Sequence, residues 1–110
     1  MEFGFRYKGR KVKLKVKECR TSFYKMLGLM FKKDSKPLLF VFSKETRQPI
    51  HSFFCRPFYA IWLNKNKIVD EKFVKSWKFS IKPKEKFDKL LEIPMTNRNF
   101  LLFYRRDRNI

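Results

Sequence analysis

The sequence predicts a mainly β (α+β) fold, a single small barrel-like or strongly curved sheet with one short helix. Near the N-terminus, apolar residues alternate with charged ones, which is the period of a strand with one buried face. In the middle of the chain, two continuous apolar runs rich in aromatic and β-branched residues are typical of strands buried on both faces. The 110 residues fit one domain, and a hydrophobic content of 44% exceeds that of a disordered chain.

The first predicted element is a hairpin over about residues 2–18. Lys8-Gly9 supplies its tight turn, because glycine readily takes the positive φ that such a turn needs. The inward positions are Phe3, Phe5, Tyr7, Val12, Leu14 and Val16. The outward positions of the second strand are Lys11, Lys13, Lys15 and Lys17. The alternation therefore predicts a row of four lysines facing solvent.

The other predicted elements follow along the chain. Thr21 or Ser22 caps a short helix that ends at Gly28. Strands are predicted over residues 38–42, 58–63, 77–81 and 100–104, the third of them ended by Pro83. A turn over 64–67 leads into Ile68 and Val69. Residues 84–93 have both helical spacing and a strand-like apolar run, and residues 105–110 are predicted to be a flexible tail.

Charge is the most unusual feature of the composition. Lys and Arg number 28 against 10 Asp and Glu, which gives a formal net charge of +18. Residues 37–64 carry only three basic residues and one acidic residue, so the excess lies in the flanks. A field of this sign attracts polyanions, and nucleic acid is the partner that we expect first. Charge that only maintains solubility is the alternative.

Membrane association and secretion are not expected. No apolar stretch approaches the roughly 20 residues of a membrane-spanning helix, and no signal-peptide run follows the first charges. Cys19 and Cys55 are too few for a domain that depends on disulfides. We expect a cytoplasmic protein, and the sequence does not predict its oligomeric state.

The lysine row is the best candidate for a binding surface. Alternate residues of a strand lie roughly 6.8 Å apart, which is comparable to alternate phosphates of a DNA strand with a rise of about 3.4 Å each. Lys78 and Lys82 are expected to add a second basic strip. Lysines on an exposed strand also deter edge-to-edge aggregation, so a protective role is the competing interpretation.

Four blocks of the sequence, in order, carry a family resemblance: residues 28–33, 38–42, 50–57 running into 61–63, and 76–78 with 90–94. On these blocks, which span about residues 19–94, the chain resembles uncharacterised protein family 0127, also called domain of unknown function 192. The resemblance implies a mostly β, barrel-like domain with a short helix, favours a strand over residues 87–93, and implies no activity. The chain departs from the family at Tyr59, where an aspartate is typical, and at Phe54 and Cys55, where tryptophan and methionine are common.

Enzymatic and metal sites have little support, so we expect a non-enzymatic protein without a cofactor. His51 is the only histidine, and no nucleophile or carboxylate adjoins it in sequence. His51 and Cys55 lie roughly 13 Å apart along a strand, too far to share one ion. Three glycines form no phosphate loop. The neighbours Asp70 and Glu71 are expected to point to opposite faces of a strand and to be solvated.

A pocket for a small ligand is the alternative to polyanion binding. Its predicted lining, at the mouth of the predicted barrel, is Met30, His51, Phe54, Trp62 and Trp77. Pockets of this kind are mainly apolar with a few polar groups. Most aromatic residues are expected in the core, and we single out Phe5, Tyr7, Trp77 and Tyr104 as the ones whose exposure would indicate base stacking.

Overall fold

The computed structural model describes residues 1–19, 36–47, 49, 57–75 and 81–108. Within them lie seven strands and one helix. The strands are β1 Glu2–Tyr7, β2 Arg10–Lys15, β3 Lys17–Cys19, β4 Leu38–Thr46, β5 Phe58–Asn64, β6 Lys67–Val74 and β7 Phe87–Pro94. The helix, α1, is Phe100–Arg108. None of the helical structure in these ranges is long and apolar enough to cross a membrane.

The strands form two sheets. β1 and β2 pair as an antiparallel hairpin, and the other five form a sheet in the order β3-β4-β7-β5-β6. β3 runs parallel to β4, whereas the remaining pairs are antiparallel. The mainly β prediction is confirmed. Neither the predicted barrel nor the alternative of a strongly curved sheet is observed in the described ranges. Closure of a barrel requires the two edge strands to pair, and β3 and β6 remain edges.

Strand β5 is the most buried element and separates two cores. It pairs with β6 on one side and β7 on the other, and residues 58–63 are fully buried. Tyr59, Ile61 and Leu63 belong to the first core cluster. Phe58, Ala60 and Trp62 belong to the second cluster, on the opposite face. Burial on both faces is what the continuous apolar run predicts.

The predicted hairpin is confirmed and covers the first face of the sheet. Its turn places Lys8 at φ 49° and Gly9 at φ 82°, the left-handed conformation that glycine adopts without strain. The inward aromatic residues of β1 pack into the first cluster. After β2, the Val16 N–H donates to the Met1 carbonyl at 2.7 Å, and the Lys17 N–H donates to the Pro37 carbonyl at 2.9 Å. The chain thus passes from the hairpin into the main sheet between these two residues.

Helix α1 corrects the prediction of a strand over residues 100–104. Phe100, Phe103 and Tyr104 follow the i, i+3, i+4 spacing of a helix face and pack into the first cluster. Leu101 and Leu102 are 56% and 48% exposed. A continuous apolar run has no period, so its sequence does not distinguish a strand from a helix. The helix includes residues 105–108, while the flexible character expected of 105–110 and the single-domain organisation stay predictions.

The remaining predicted elements have mixed outcomes. Residues 84–93 contain strand β7, as the family resemblance favours, and the turn over 64–67 is confirmed with φ 51° at Lys65 and 65° at Asn66. The predicted helix before Gly28 lies outside the described residues. So does the strand predicted over 77–81, except for Ile81, which packs against the second cluster.

Replacing Phe103 with alanine tests the packing of the helix and hairpin on the sheet. The Phe103 ring lies 6.1 Å from that of Phe5, 4.7 Å from Tyr7 and 5.9 Å from Tyr59. Phe103→Ala should lower the free energy of unfolding by about 3–5 kcal/mol, because it leaves a cavity. The control Leu102→Ala alters an exposed neighbour and should change it by less than about 0.5 kcal/mol. Urea unfolding measures both, and equal losses would contradict this packing.

Candidate functional site

The lysine row lies on the solvent face of the hairpin. Lys11, Lys13 and Lys15 are exposed, and Leu14 between them is buried. Arg6 is the direct cross-strand partner of Lys11, which places it on the same face. Across the described ranges, none of these four cations has a carboxylate oxygen within 4.0 Å. We call Arg6, Lys11, Lys13 and Lys15 the hairpin basic face.

The other three predicted basic residues are placed differently. Lys17 is exposed but belongs to β3 of the main sheet. Lys82 is exposed, and its carbonyl accepts a hydrogen bond from the Lys72 Nζ at 3.0 Å. Its neighbour Ile81 packs on the second cluster, so Lys82 lies on the other side of the sheet from the hairpin. Lys78 lies outside the described residues.

A cleft separates strand β1 from the start of β6. Its volume is about 600 Å³. The lining residues are Gly4, Phe5, Arg6, Tyr7, Lys8, Lys11, Asn66, Lys67, Ile68 and Glu71. Four of them are cations and one is a carboxylate. Arg6 and Lys11 belong to both the cleft and the hairpin basic face, so the two features are continuous.

Glu71 joins the hairpin to the main sheet. The hydroxyls of Tyr7 and Tyr59 both donate to its Oε1, each at 2.6 Å. In the part of the chain that the structure describes, Oε2 accepts no hydrogen bond. Glu71 is half-buried, so the expectation that it is solvated is wrong. The cause is the hairpin, which covers this face of β6.

Asp70 points to the opposite face, as the alternation predicts, but it is also not solvated. It is 8% exposed. Its Oδ1 accepts from the Glu71 N–H at 2.8 Å, and its Oδ2 accepts from the Lys84 N–H at 3.0 Å. Oδ2 therefore holds the segment after Pro83 against β6, while Oδ1 is used within β6 itself, so this carboxylate has a structural role.

Glu92 is a buried acid that our sequence reasoning missed. It lies in the central strand β7, directly between Leu38 of β4 and Ala60 of β5. It is 6% exposed, and burial raises its pKa from 4.5 to about 8 by desolvation. The carboxyl group is therefore predominantly neutral at pH 7. One acidic residue inside the apolar run 90–93 was the signal that could have revealed it.

Only one residue of the predicted ligand pocket, Trp62, is among the described residues. Trp62 is fully buried, and its Nε1 has no hydrogen-bond partner among the described residues. The other four residues of that prediction, Met30, His51, Phe54 and Trp77, lie outside the described residues. Among the residues that are described, no three His, Cys, Asp or Glu side chains cluster as metal ligands.

The aromatic residues singled out for base stacking belong mainly to the core. Phe5 and Tyr7 are 5% and 2% exposed, and Tyr104 is half-buried against the first cluster. Trp77 lies outside the described residues. The hairpin therefore presents cations rather than aromatic rings to solvent.

The raised pKa of Glu92 predicts a pH-dependent stability. Below about pH 4.5 the folded and unfolded chains both hold this proton. As the pH rises towards 8 the unfolded chain releases it first, so the free energy of unfolding falls by about 1.4 kcal/mol per pH unit from this group. Glu92→Gln should remove this slope, whereas Glu85→Gln, at an exposed acid, should keep it. Urea unfolding between pH 5 and 8 measures the slopes, and parallel curves for wild type and Glu92→Gln would disprove the assignment.

Comparison with solved structures supports the fold. A protein of unknown function from Novosphingobium aromaticivorans superposes with a TM-score of 0.73 at 14% identity, covering 84% of this chain and 71% of that one. A protein from Sinorhizobium meliloti named "putative transcription regulator" superposes with a TM-score of 0.73 at 17% identity, covering 90% of this chain and 80% of that one. At such identities the likeness is one of fold alone.

Comparison of sequences gives the family. No family model matches the chain. It is, however, 35% identical over 91 residues to the UPF0127 protein of Pyrococcus furiosus, an alignment that covers 79% of this chain and 78% of that protein. The resemblance carried by the four sequence blocks is thereby confirmed, and the chain belongs to the uncharacterised UPF0127 family.

Proposed function

We propose that the protein binds nucleic acid through the hairpin basic face, by charge and without reading base sequence. The observation that carries the proposal is the grouping of Arg6, Lys11, Lys13 and Lys15 on one solvent-facing surface, with no ion pair to them among the described residues. Lysine and arginine contacts to phosphates supply most of the affinity of such proteins and release counterions on binding.

The geometry of the hairpin supports contact with several phosphates along one strand. Its three lysines repeat every second residue along β2, about 6.8 Å apart. Arg6 lies across from Lys11 on β1, which makes the charged surface two strands wide. Glu2 faces Lys15 across the hairpin and is the one acid on this surface. Because the aromatic rings of β1 are buried, the face offers phosphate contacts and no stacking platform.

The charge distribution favours binding over solubility alone. Residues 1–19 contain seven Lys and Arg against two Glu. A surface that serves solubility works best with both signs interspersed, whereas here four of the seven cations share one face with a single acid, Glu2. We include Lys17 as a secondary contact and keep Lys78 and Lys82 as a second basic strip. We place this binding in the cytoplasm, as the sequence predicts. The Sinorhizobium meliloti neighbour has the words transcription regulator in its name, which is compatible with this class of partner, although its likeness is of fold alone.

Salt dependence is the decisive test of this proposal. If the face engages four to six phosphates of duplex DNA, log K should fall with log salt with a slope of about −3.5 to −5. Replacing Arg6, Lys11, Lys13 and Lys15 together with glutamine removes four phosphate contacts, so the magnitude of that slope should fall by about 3.6. Fluorescence anisotropy of a labelled duplex measures the slope between about 50 and 300 mM NaCl, a range in which binding of this kind depends steeply on salt.

A matched variant separates this face from the overall charge. Replacing Lys44, Lys84, Lys86 and Arg98 with glutamine removes the same number of exposed cations from outside the hairpin. It should leave most of the wild-type slope. Equal losses of slope in the two variants would show that the salt dependence comes from the net charge of the protein and not from this face. Binding that is insensitive to salt would instead support the alternative, a small-ligand- or protein-binding module in which charge serves solubility only.

A further inference from the structure

We infer that the cleft between β1 and β6 binds a ribose phosphate unit of RNA. A ribose hydroxyl donates to Oε2 of Glu71, and the adjoining phosphate contacts the cations that line the cleft. The inference rests on the proposed nucleic-acid binding and adds to it a preference for RNA over DNA. It is carried by the geometry of one carboxylate and by the charges around it.

One carboxylate oxygen of Glu71 is available to a ligand. Two phenol hydroxyls donate to Oε1, and in the described part of the chain Oε2 has no donor. The tyrosines are themselves fixed, since Tyr7 is 2% and Tyr59 0% exposed and both pack against Phe103. The carboxylate is thus held in one orientation at the wall of the cleft. As an acceptor-only group, it selects a ligand that carries a donor.

The charges around the cleft favour an anionic ligand. Arg6, Lys8, Lys11 and Lys67 line the same cleft, and within the described ranges no carboxylate lies within 4.0 Å of their charged nitrogens. Four cations against one carboxylate favour a ligand that is anionic overall and disfavour an ammonium donor. A hydroxyl donor on an anionic molecule meets both conditions. A sugar phosphate combines these groups at short range.

The cleft has the size of a small-molecule site and adjoins the hairpin basic face. A cleft of about 600 Å³ falls within the range of small-molecule sites, roughly 300–1,000 Å³. Arg6 and Lys11 belong to the hairpin basic face as well, so a strand bound there continues into the cleft. The ribose 2′-hydroxyl distinguishes RNA from DNA, and a carboxylate is a known acceptor for it in dinucleotide-binding folds. Since Phe5 and Tyr7, the aromatic residues of the described lining, are buried, we expect no base stacking and no base preference from the cleft.

The experiment compares three single-stranded 12-mers of one sequence, made of RNA, DNA and 2′-O-methyl RNA. Wild-type protein should bind RNA about tenfold more tightly than DNA, the effect of one hydrogen bond to a charged acceptor. The 2′-O-methyl strand retains the ribose geometry but lacks the donor, so it should bind like DNA. Anisotropy titrations at about 150 mM salt, near physiological ionic strength, measure the three dissociation constants.

Substitution of Glu71 links the preference to the cleft. Glu71→Gln removes the second carboxylate oxygen and should bring the RNA-to-DNA ratio to about one, while DNA binding persists. Glu85→Gln, which changes the same charge at an exposed site, should retain the preference. Circular dichroism and urea unfolding establish that both variants are folded. The 2′-O-methyl comparison on wild-type protein tests the inference even where Glu71→Gln does not fold.

The results separate the inference from the proposed function. Equal affinity for RNA and DNA overturns the ribose site and leaves charge-based binding standing. No binding of any strand overturns both. Displacement of labelled RNA by adenosine monophosphate, but not by deoxyadenosine monophosphate, supports the ribose site and shows that a free ribonucleotide also fills it. A preference that persists in Glu71→Gln overturns the role of this carboxylate.

Discussion

The attachment of the hairpin to the five-stranded sheet is the interaction on which both surface features depend. Phe103 packs against Tyr7 of β1 and Tyr59 of β5 at 4.7 and 5.9 Å, so one helix residue joins three elements. The two tyrosine hydroxyls then meet on Glu71. Because this packing buries the inward face of the hairpin, strand alternation directs every second side chain of β2 to solvent. The basic face is a consequence of the core beneath it.

The same contact gives a physical meaning to Tyr59, which replaces the aspartate typical of the family. Tyr59 is fully buried, and a carboxylate in that apolar environment would need a compensating partner. Its hydroxyl instead donates to Glu71 from the neighbouring strand at 2.6 Å. The carboxylate of Glu71 therefore lies next to position 59, where the hydroxyls of Tyr7 and Tyr59 hold it. This arrangement places the carboxylate at the cleft rather than within the core.

Local patterns predicted the hairpin and strands β4 and β5, because period-2 alternation and short apolar runs are properties of neighbouring residues. They failed for helix α1, where an unbroken apolar run has no period, and for Asp70 and Glu71, whose burial depends on distant elements. Arg6 was missed although the predicted turn at Lys8-Gly9 fixes it opposite Lys11. The cleft requires β1 and β6 to meet across 60 residues of sequence, and no local signal reports such a contact.

Comparing two acids of the sheet shows why Glu71, and not Glu92, is the candidate ligand-binding group. Glu92 lies in the central strand between two paired neighbours, and desolvation raises its pKa to about 8, so it is mainly a neutral group with no side-chain hydrogen bond among the described residues. Glu71 lies on edge strand β6, where two phenols donate to one oxygen and the residue lines the cleft. The two carboxyl groups differ because β7 is paired on both sides and encloses Glu92, whereas Glu71 keeps one oxygen that accepts no hydrogen bond within the described residues.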